Sequence, residues 1–487
     1  MKTFLKAEVQ HPRRLALICF LILLACWTPA LIAGFPGYFS YDSGVDWLEQ
    51  WGQFESGQFN AHHPVIHTVF VGSTISLGQA LFGSFNGGVF LSVVIQAALI
   101  SALFSYALYR LVFCGMKRLG VGLCTTYLAL NPIIQLFAFC TTKDVIFSAL
   151  VVVYVVLLAC NVKDAMGGRK KKASGWVALG VVLFFVLCLR SNAIVAFIIS
   201  LPFQVLLLRK ASKRGTGLTA GSSEIFKEFG KRFILISAAA LVACGIFLGP
   251  ISRIAGVESS PIGLWNMLCV PEQQLASVAF SPDADEQDRQ EILELAPGLE
   301  YQANLSDIAR GAFSSNLKKA DFLKAWFQYG LKYPGQYIAA FVSHIEAVWN
   351  PLEPIRVYTI NQNGSDVFAF NSEPPCTQVI LNESLTNAYQ FISGNAEAIN
   401  VPVLGLLIGI PFYVVAFIMA FAASVKRRSY IGLLTLVPVL ALVVSNLFGP
   451  TMLLRYFLYL IFGLPFFLWL GFSSLLPANK ANAPAAI

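Results

Sequence analysis

The stretch NPIIQLFAFCTTKDVIFSALVVVYVVLLACNVKD, residues 131–164, decides the fold. Lys143 and Asp144 stand between two uncharged runs, Leu119 to Thr142 before them and Val145 to Val162 after. About 20 apolar residues cross a hydrocarbon core as a helix, so each run is long enough to do so. The two charges therefore mark a turn at a membrane face. Working outward, the pattern repeats: Asp, Glu, Lys and Arg are absent from Leu15 to Tyr41, Ala61 to Tyr109, Ala398 to Val425 and Ser429 to Leu454. Only 12% of the 487 residues are charged and 56% are hydrophobic, whereas soluble domains carry roughly 25% charged residues.

These runs predict an all-α polytopic membrane protein with about ten spans, near 15–34, 88–109, 120–140, 145–160, 174–189, 192–208, 233–250, 400–422, 430–448 and 454–474. The N-terminal run is too long for the apolar region of a signal peptide and is read as the first span. Basic clusters fall between spans: Lys2 to Arg14, Arg110 with Lys117 and Arg118, Lys163 with Arg169 to Lys172, Arg209 to Arg232, and Lys426 to Arg428. Placing all of them in the cytoplasm satisfies the positive-inside rule and leaves both termini cytoplasmic. That parity requires His67 to Phe85, which contains Gly72, Gly78 and Gly83, to stay outside as a juxtamembrane or re-entrant helix. The net charge of +8 is thus spent on topology, and no nucleic-acid partner is expected.

Two regions then face outward. The first, residues 35–85, belongs to an N-terminal membrane module spanning 1–250. The second, residues 251–399, holds seventeen acidic residues against eight basic ones and precedes the C-terminal spans of 400–487. A connection that long is expected to fold into short helices over the bundle. Ser281 to Glu294 reads as a surface helix, Asp321 to Tyr329 as an amphipathic one, and Pro334 to Trp349 as one that could lie along the membrane. Cys269 and Cys376 are the only cysteines of this region, and an oxidising compartment would permit them to pair.

Chemistry-bearing residues gather at the outer ends. In the first loop, YFSYDSGVDWLEQWGQFESGQFNAHHPVIHT, Asp42, Asp46 and Glu49 share a face if the segment is helical. They suit a general base, metal ligands, or simply solvated and capping charges. His62, His63 and His67 follow without the glutamate of an HExxH zinc motif; rather than a zinc site, one of them is expected to bind a phosphate or sugar hydroxyl or to fix the loop's geometry. Lys143 and Asp144 either satisfy one another or serve a substrate beside that loop. Arg190 and Arg455 fall at the outer ends of their spans, with Arg253 and Arg356 in the large loop. Arginine forks suit phosphate, although any one of these could be snorkelling. No glycine-rich nucleotide loop is present, so the pattern favours a lipid-linked phosphate arriving through the bilayer.

The motifs YFSYDSGVDWLEQW after the first span, HHPVIHT closing its loop, TTKDVIFS after the third span and LRSN after the fifth resemble the GT-C superfamily of membrane glycosyltransferases, in a bacterial branch. The superfamily includes the protein O-mannosyltransferases and the lipid A aminoarabinose transferases. The resemblance covers most of residues 10–475 and is specific in the first half. It implies a GT-C-like bundle in the bacterial plasma membrane, a polyprenyl-phosphate-linked sugar as donor and an extracytoplasmic glycan, lipid or protein as acceptor. Asp42 matches the catalytic aspartate and Asp144 the second acidic residue, with Lys143, Arg190, Arg356 and Arg455 around the phosphate. Some members use a divalent ion such as Mg2+ or Mn2+; no clear Asp-Asp or Glu-Asp pair stands here. A lipid-linked-sugar flippase or transporter, or a polysaccharide polymerase or ligase, are the alternative readings.

Overall fold

The computed structural model describes residues 9–39, 61, 63–169, 172–213, 220–258, 265–352, 376, 378–394 and 396–473. Seven described helices are long and apolar enough to cross a membrane: α1 Pro12–Ala33, α2 Val65–Phe82, α3 Phe85–Phe113, α6 Lys143–Met166, α8 Ser191–Lys213, α9 Ala220–Ile246 and, with its leading turn, α17 Leu458–Phe472. An eighth candidate is the pair α4 Arg118–Leu130 and α5 Pro132–Ala138, bent by 65°. The bend has a local cause. Asn131 caps α5 with its Oδ1, which accepts from the amides of Ile133 and Ile134, and Pro132 opens the new helix. Three shorter apolar helices complete the set, α7 Ala173–Leu189, α15 Ile410–Lys426 and α16 Tyr430–Asn446.

The bundle is organised around α6, which is buried along its whole apolar window. A helix apolar on every side belongs in the middle, and α3, α7, α9, α16 and α17 pack around it. Its C-terminal end lies with the basic turns: Lys163 donates to the carbonyl of Cys114 at 2.5 Å. Arg427 likewise donates to the carbonyl of Phe472, the last residue of α17. Cys114 and Cys160 lie side by side between α3 and α6, their Cα atoms 5.9 Å apart.

At the opposite end of the bundle the backbone leaves helical form just before α6. Tyr38–Phe39 (β1) and Cys140–Thr141 (β2) pair in parallel, Tyr38 opposite Cys140 and Phe39 opposite Thr141. Open backbone at this depth needs partners from the protein. Gln96 of α3 supplies them, donating to the carbonyls of Ala138 and Cys140 at 3.2 and 2.8 Å. The first outer loop thus leaves β1 stitched to the entry of the central helix.

Helix α2 follows Pro64, which sits at its cap position, and turns back into α3 through Gly83 with φ 68° and Ser84. The glycines that weaken this segment as a lone span have a packing purpose. A Cβ on Gly78 would meet the Gly88 Cα at 2.6 Å, so the two helices touch backbone to backbone. By length and composition α2 belongs with the seven candidates rather than with the short juxtamembrane helices.

Residues 265–337 build a second apolar core around Trp265, Leu275, Ile292, Phe313, Phe322 and Tyr329. It is made by short helices, chiefly α10 Cys269–Ala279, α11 Glu286–Leu295, α12 Lys319–Lys332 and α13 Pro334–His344. The later part of the outer segment joins the membrane core: α14 Glu383–Gly394 packs on α1, where Thr386 donates to the carbonyl of Ala33 at 2.9 Å. Cys269 in α10 and Cys376 in the membrane core form no disulfide with one another.

Candidate functional site

The N-terminal end of α6 carries a buried charge cluster. Thr142 caps the helix, its Oγ1 accepting from the Asp144 amide, and Asp144 occupies the first turn, where the helix dipole favours a carboxylate. Its side chain is fully buried, a costly place for a charge unless it is paired. Arg190, the residue between α7 and α8, places Nη1 2.5 Å from Asp144 Oδ1. Arg455, in the short turn Leu454–Phe457 that leads into α17, brings Nε to 3.9 Å from Oδ2. The Thr142 hydroxyl is 3.4 Å from the same Oδ2.

Neutral groups hold the arginines. Arg190 Nε donates to Asn192 Oδ1 at 3.2 Å, and Asn192 Nδ2 donates to Asn446 Oδ1 at 2.6 Å. Asn446 in turn donates to the Tyr456 carbonyl at 2.6 Å and the Tyr459 hydroxyl at 3.1 Å. The Arg190 guanidinium lies 4.8 Å from the Tyr456 ring centroid and 5.5 Å from that of Phe147; Arg455 lies 5.2 Å from Tyr456. The rings cover positive charge where water is scarce. One network therefore joins α6, α8, α16 and α17. Asn192, Asn446 and Tyr456 were not among the residues singled out from the sequence; the signal available was an asparagine inside an apolar run, which needs a partner.

Beside the cluster, Lys143 Nζ lies 2.9 Å from His63 Nδ1. His63 is buried, and the chain just before it is tied down by the amide of Ala61, which donates to the carbonyl of Glu258 at 2.8 Å. His67 is buried in α2 one turn further on. The structure thus brings together Lys143, Asp144, Arg190 and Arg455, with His63 alongside. Asp42, Asp46, Glu49, His62 and Arg356 lie outside the described residues. Phe39, three residues before Asp42, is described and pairs with Thr141, three residues before Asp144.

Charge counting defines what this geometry can do. Among the described residues, Lys143, Arg190 and Arg455 bring three cations to one level of the bundle, with Asp144 as the carboxylate between the two arginines. Both Asp144 oxygens are engaged, which suits a carboxylate that anchors arginines. Cations gathered in this way suit an anion. Among the described residues no group of three or more His, Cys, Asp and Glu side chains is placed to hold a metal ion.

No curated protein and no solved structure matches the chain. A family model matches residues 51–215 and 315–479, more than half of the sequence. The match includes His63, Lys143, Asp144, Arg190 and Arg455 and begins downstream of Asp42, Asp46 and Glu49. The chain belongs to DUF6020, a family of unknown function.

Proposed function

We propose that this is an inverting membrane glycosyltransferase of GT-C type, moving a sugar from a polyprenyl-phosphate donor to an acceptor outside the bacterial plasma membrane. The observation that carries the reading is the gathering of Lys143, Arg190 and Arg455 at the N-terminal end of the central helix, next to the strand that begins the first loop. A phosphate at the head of a lipid reaches this level of a bundle without leaving the bilayer. Arginine and lysine there hold it before and after the bond breaks. In this reading ten spans cross the membrane, the basic turns and both termini are cytoplasmic, and α2 stays on the outer side.

Asp42 is the base. Chain length alone keeps its Cα within about 11 Å of Phe39, and Phe39 is paired to the peptide that opens α6. The acceptor hydroxyl gives its proton to the Asp42 carboxylate while its oxygen bonds to the sugar's anomeric carbon. The bond from that carbon to phosphate breaks, and polyprenyl phosphate leaves with the electron pair. Phosphate is already a good leaving group, so the cations stabilise it without an acid. Asp144 positions Arg190 and Arg455.

The test uses the purified chain in lipid vesicles with radiolabelled polyprenyl-phosphate sugars and an envelope acceptor fraction. Asp42→Asn is expected to retain donor binding and lose about 10²–10⁴-fold in transfer. Transfer by Asp42→Asn at the rate of the unaltered protein would remove the first loop from the chemistry. Failure of the unaltered protein to bind any polyprenyl phosphate would end the reading.

A further inference from the structure

Helix α12 is apolar on two sides. Phe322, Ala325 and Tyr329 turn into the outer core, while Leu323, Phe327 and Leu331, spaced i, i+4, i+8, are exposed. The first set explains why the helix folds where it does. The second has no partner within the described residues and would be an unfavourable face to show to water. Helix α13 repeats the arrangement. Tyr337, Ala340 and His344 are buried, and Ile338 and Val342 are exposed. The two helices meet closely, since a Cβ on Gly330 would lie 2.7 Å from the Tyr337 ring.

The exposed side runs into the membrane-facing surface of the bundle. The Phe341 ring is 5.6 Å from Phe448, two residues past α16 and itself half exposed. The short helix Glu346–Trp349 packs on α15. Trp349 donates its indole N–H to the Val342 carbonyl at 3.3 Å, which fixes the exposed ring beside α13, and the exposed Leu352 follows. Tryptophan at such a level is the usual marker of the headgroup region.

Charge on the outer segment is sorted the same way. Of the eight basic residues in 251–399, four lie in Lys318 to Lys332, on or next to α12. The acidic residues concentrate instead in Asp283 to Glu300, on and around α11, where Asp285 and Asp288 also hold Lys332 at 2.9 and 2.5 Å. An apolar stripe flanked by lysines is the pattern of a helix lying in a lipid interface, its stems in the acyl boundary and its ammonium groups among anionic headgroups.

We propose that the face formed by Phe327, Leu331, Ile338, Val342, Trp349 and Leu352 rests on the outer leaflet, with α11 turned to water. The outer segment is then docked to lipid as well as to the bundle. This inference rests on the membrane architecture and stands whether or not the chain transfers sugar.

The experiment places spin labels on single cysteines in the full-length protein in phosphatidylethanolamine–phosphatidylglycerol vesicles. Phe327→Cys, Leu331→Cys, Ile338→Cys and Val342→Cys test the face. Glu294→Cys and Gln328→Cys are the references, and the signal of the unsubstituted protein is subtracted. Collision with oxygen, which partitions into lipid, is compared with collision with a water-soluble nickel chelate. All six positions are exposed, so the variants should fold, and gel filtration verifies this. At the four test positions the oxygen-to-nickel ratio is expected to be several-fold higher than at Glu294. A nickel-dominated ratio at the four would mean that the face is wet and would overturn the proposal. Immobile labels shielded from both reagents would mean that a second copy covers the face, which also overturns it.

Discussion

Arg190 Nη1 stands 2.5 Å from the fully buried Oδ1 of Asp144; Asp144 lies in the first turn of α6 and Arg190 at the junction of α7 and α8, 46 positions further on. Breaking such a pair from one side leaves a charge in a place that water does not reach, which is typically worth 3–5 kcal/mol of destabilisation, order of magnitude. Asp144→Ala is therefore expected to lower the unfolding midpoint strongly, because it strands Arg190 and Arg455 together. Asp144→Asn with Arg190→Gln removes both charges and should cost clearly less than the two single changes added. Thermal unfolding of the purified variants in detergent gives the comparison; additive effects would show that the two side chains do not depend on one another.

Lys143 is a second probe of anion binding, and its Nζ lies 2.9 Å from His63 Nδ1. Lys143→Ala is expected to leave folding nearly unchanged and to weaken polyprenyl-phosphate binding by about 1.5–3 kcal/mol, the range of a lost charged hydrogen bond. Binding of a fluorescent polyprenyl phosphate to the protein in nanodiscs, read against its thermal midpoint, separates the two effects. Unchanged binding would move the phosphate contact to Arg455 or Arg356.

The residues of this site were legible in the sequence, but their relationship was not. Lys143 and Asp144 are conspicuous as the charges between two uncharged runs, and Arg190 and Arg455 as cations at outer helix ends. A single chain does not reveal that both arginines converge on one carboxylate, since this follows from α7, α8 and α17 packing around α6. So the expectation that Arg190 is first a phosphate ligand meets a guanidinium already paired with Asp144, held by Asn192 and covered by Tyr456. The apolar helices were readable from their lengths, as was the helical outer segment from its charge and amphipathic stretches. The α2–α3 hairpin was harder. Its glycines resemble breaks in a span until Gly78 is seen against Gly88, a contact that no periodicity encodes.

The segment 265–344 should be most stable in mildly acid solution, between about pH 4.5 and 6.5, for two opposing reasons. Glu272 in α10 is buried with no hydrogen bond to its carboxyl oxygens, and burial pushes its pKa up to about 8. Between its usual range near 4.5 and about 8 the folded form holds a proton that the unfolded chain has released, so stability falls as pH rises through that window. His344 in α13 is buried and held neutral, its pKa down to about 4. Between about 4 and 6.5 the unfolded chain binds the extra proton, so stability falls as pH drops through that window. The two windows overlap between about 4.5 and 6.5, where the opposing slopes offset one another, so unfolding midpoints measured from pH 4 to 9 should hold a plateau there and fall above about 6.5. Glu272→Gln should abolish that fall and uncover the rise from about 4 to 6.5 that His344 produces; an unaltered alkaline limb would exclude Glu272 as its source.

The outer segment also grips the peptide that aims Arg455. Ser306 is fully buried; its amide donates to the Pro450 carbonyl at 2.9 Å, and its hydroxyl to the same oxygen at 2.8 Å. Leu305 bridges Thr451 in antiparallel fashion, and four residues later the chain reaches Arg455. The grip has two parts that substitution can separate. Ser306→Ala removes the hydroxyl but leaves the amide, so Pro450 keeps one donor and the cost should be about 1 kcal/mol of stability with little change in lipid-phosphate binding. Ser306→Pro removes the amide and the bridge register with it. The loop would then no longer hold Arg455 near Asp144, and binding should fall as far as it does in Arg455→Ala. Limited proteolysis of residues 265–337 shows whether the outer core survives in Ser306→Pro. An intact core with weakened binding is the expected result. An intact core with unweakened binding would mean that Arg455 is placed by the bundle alone and that the outer segment does not reach the charge cluster.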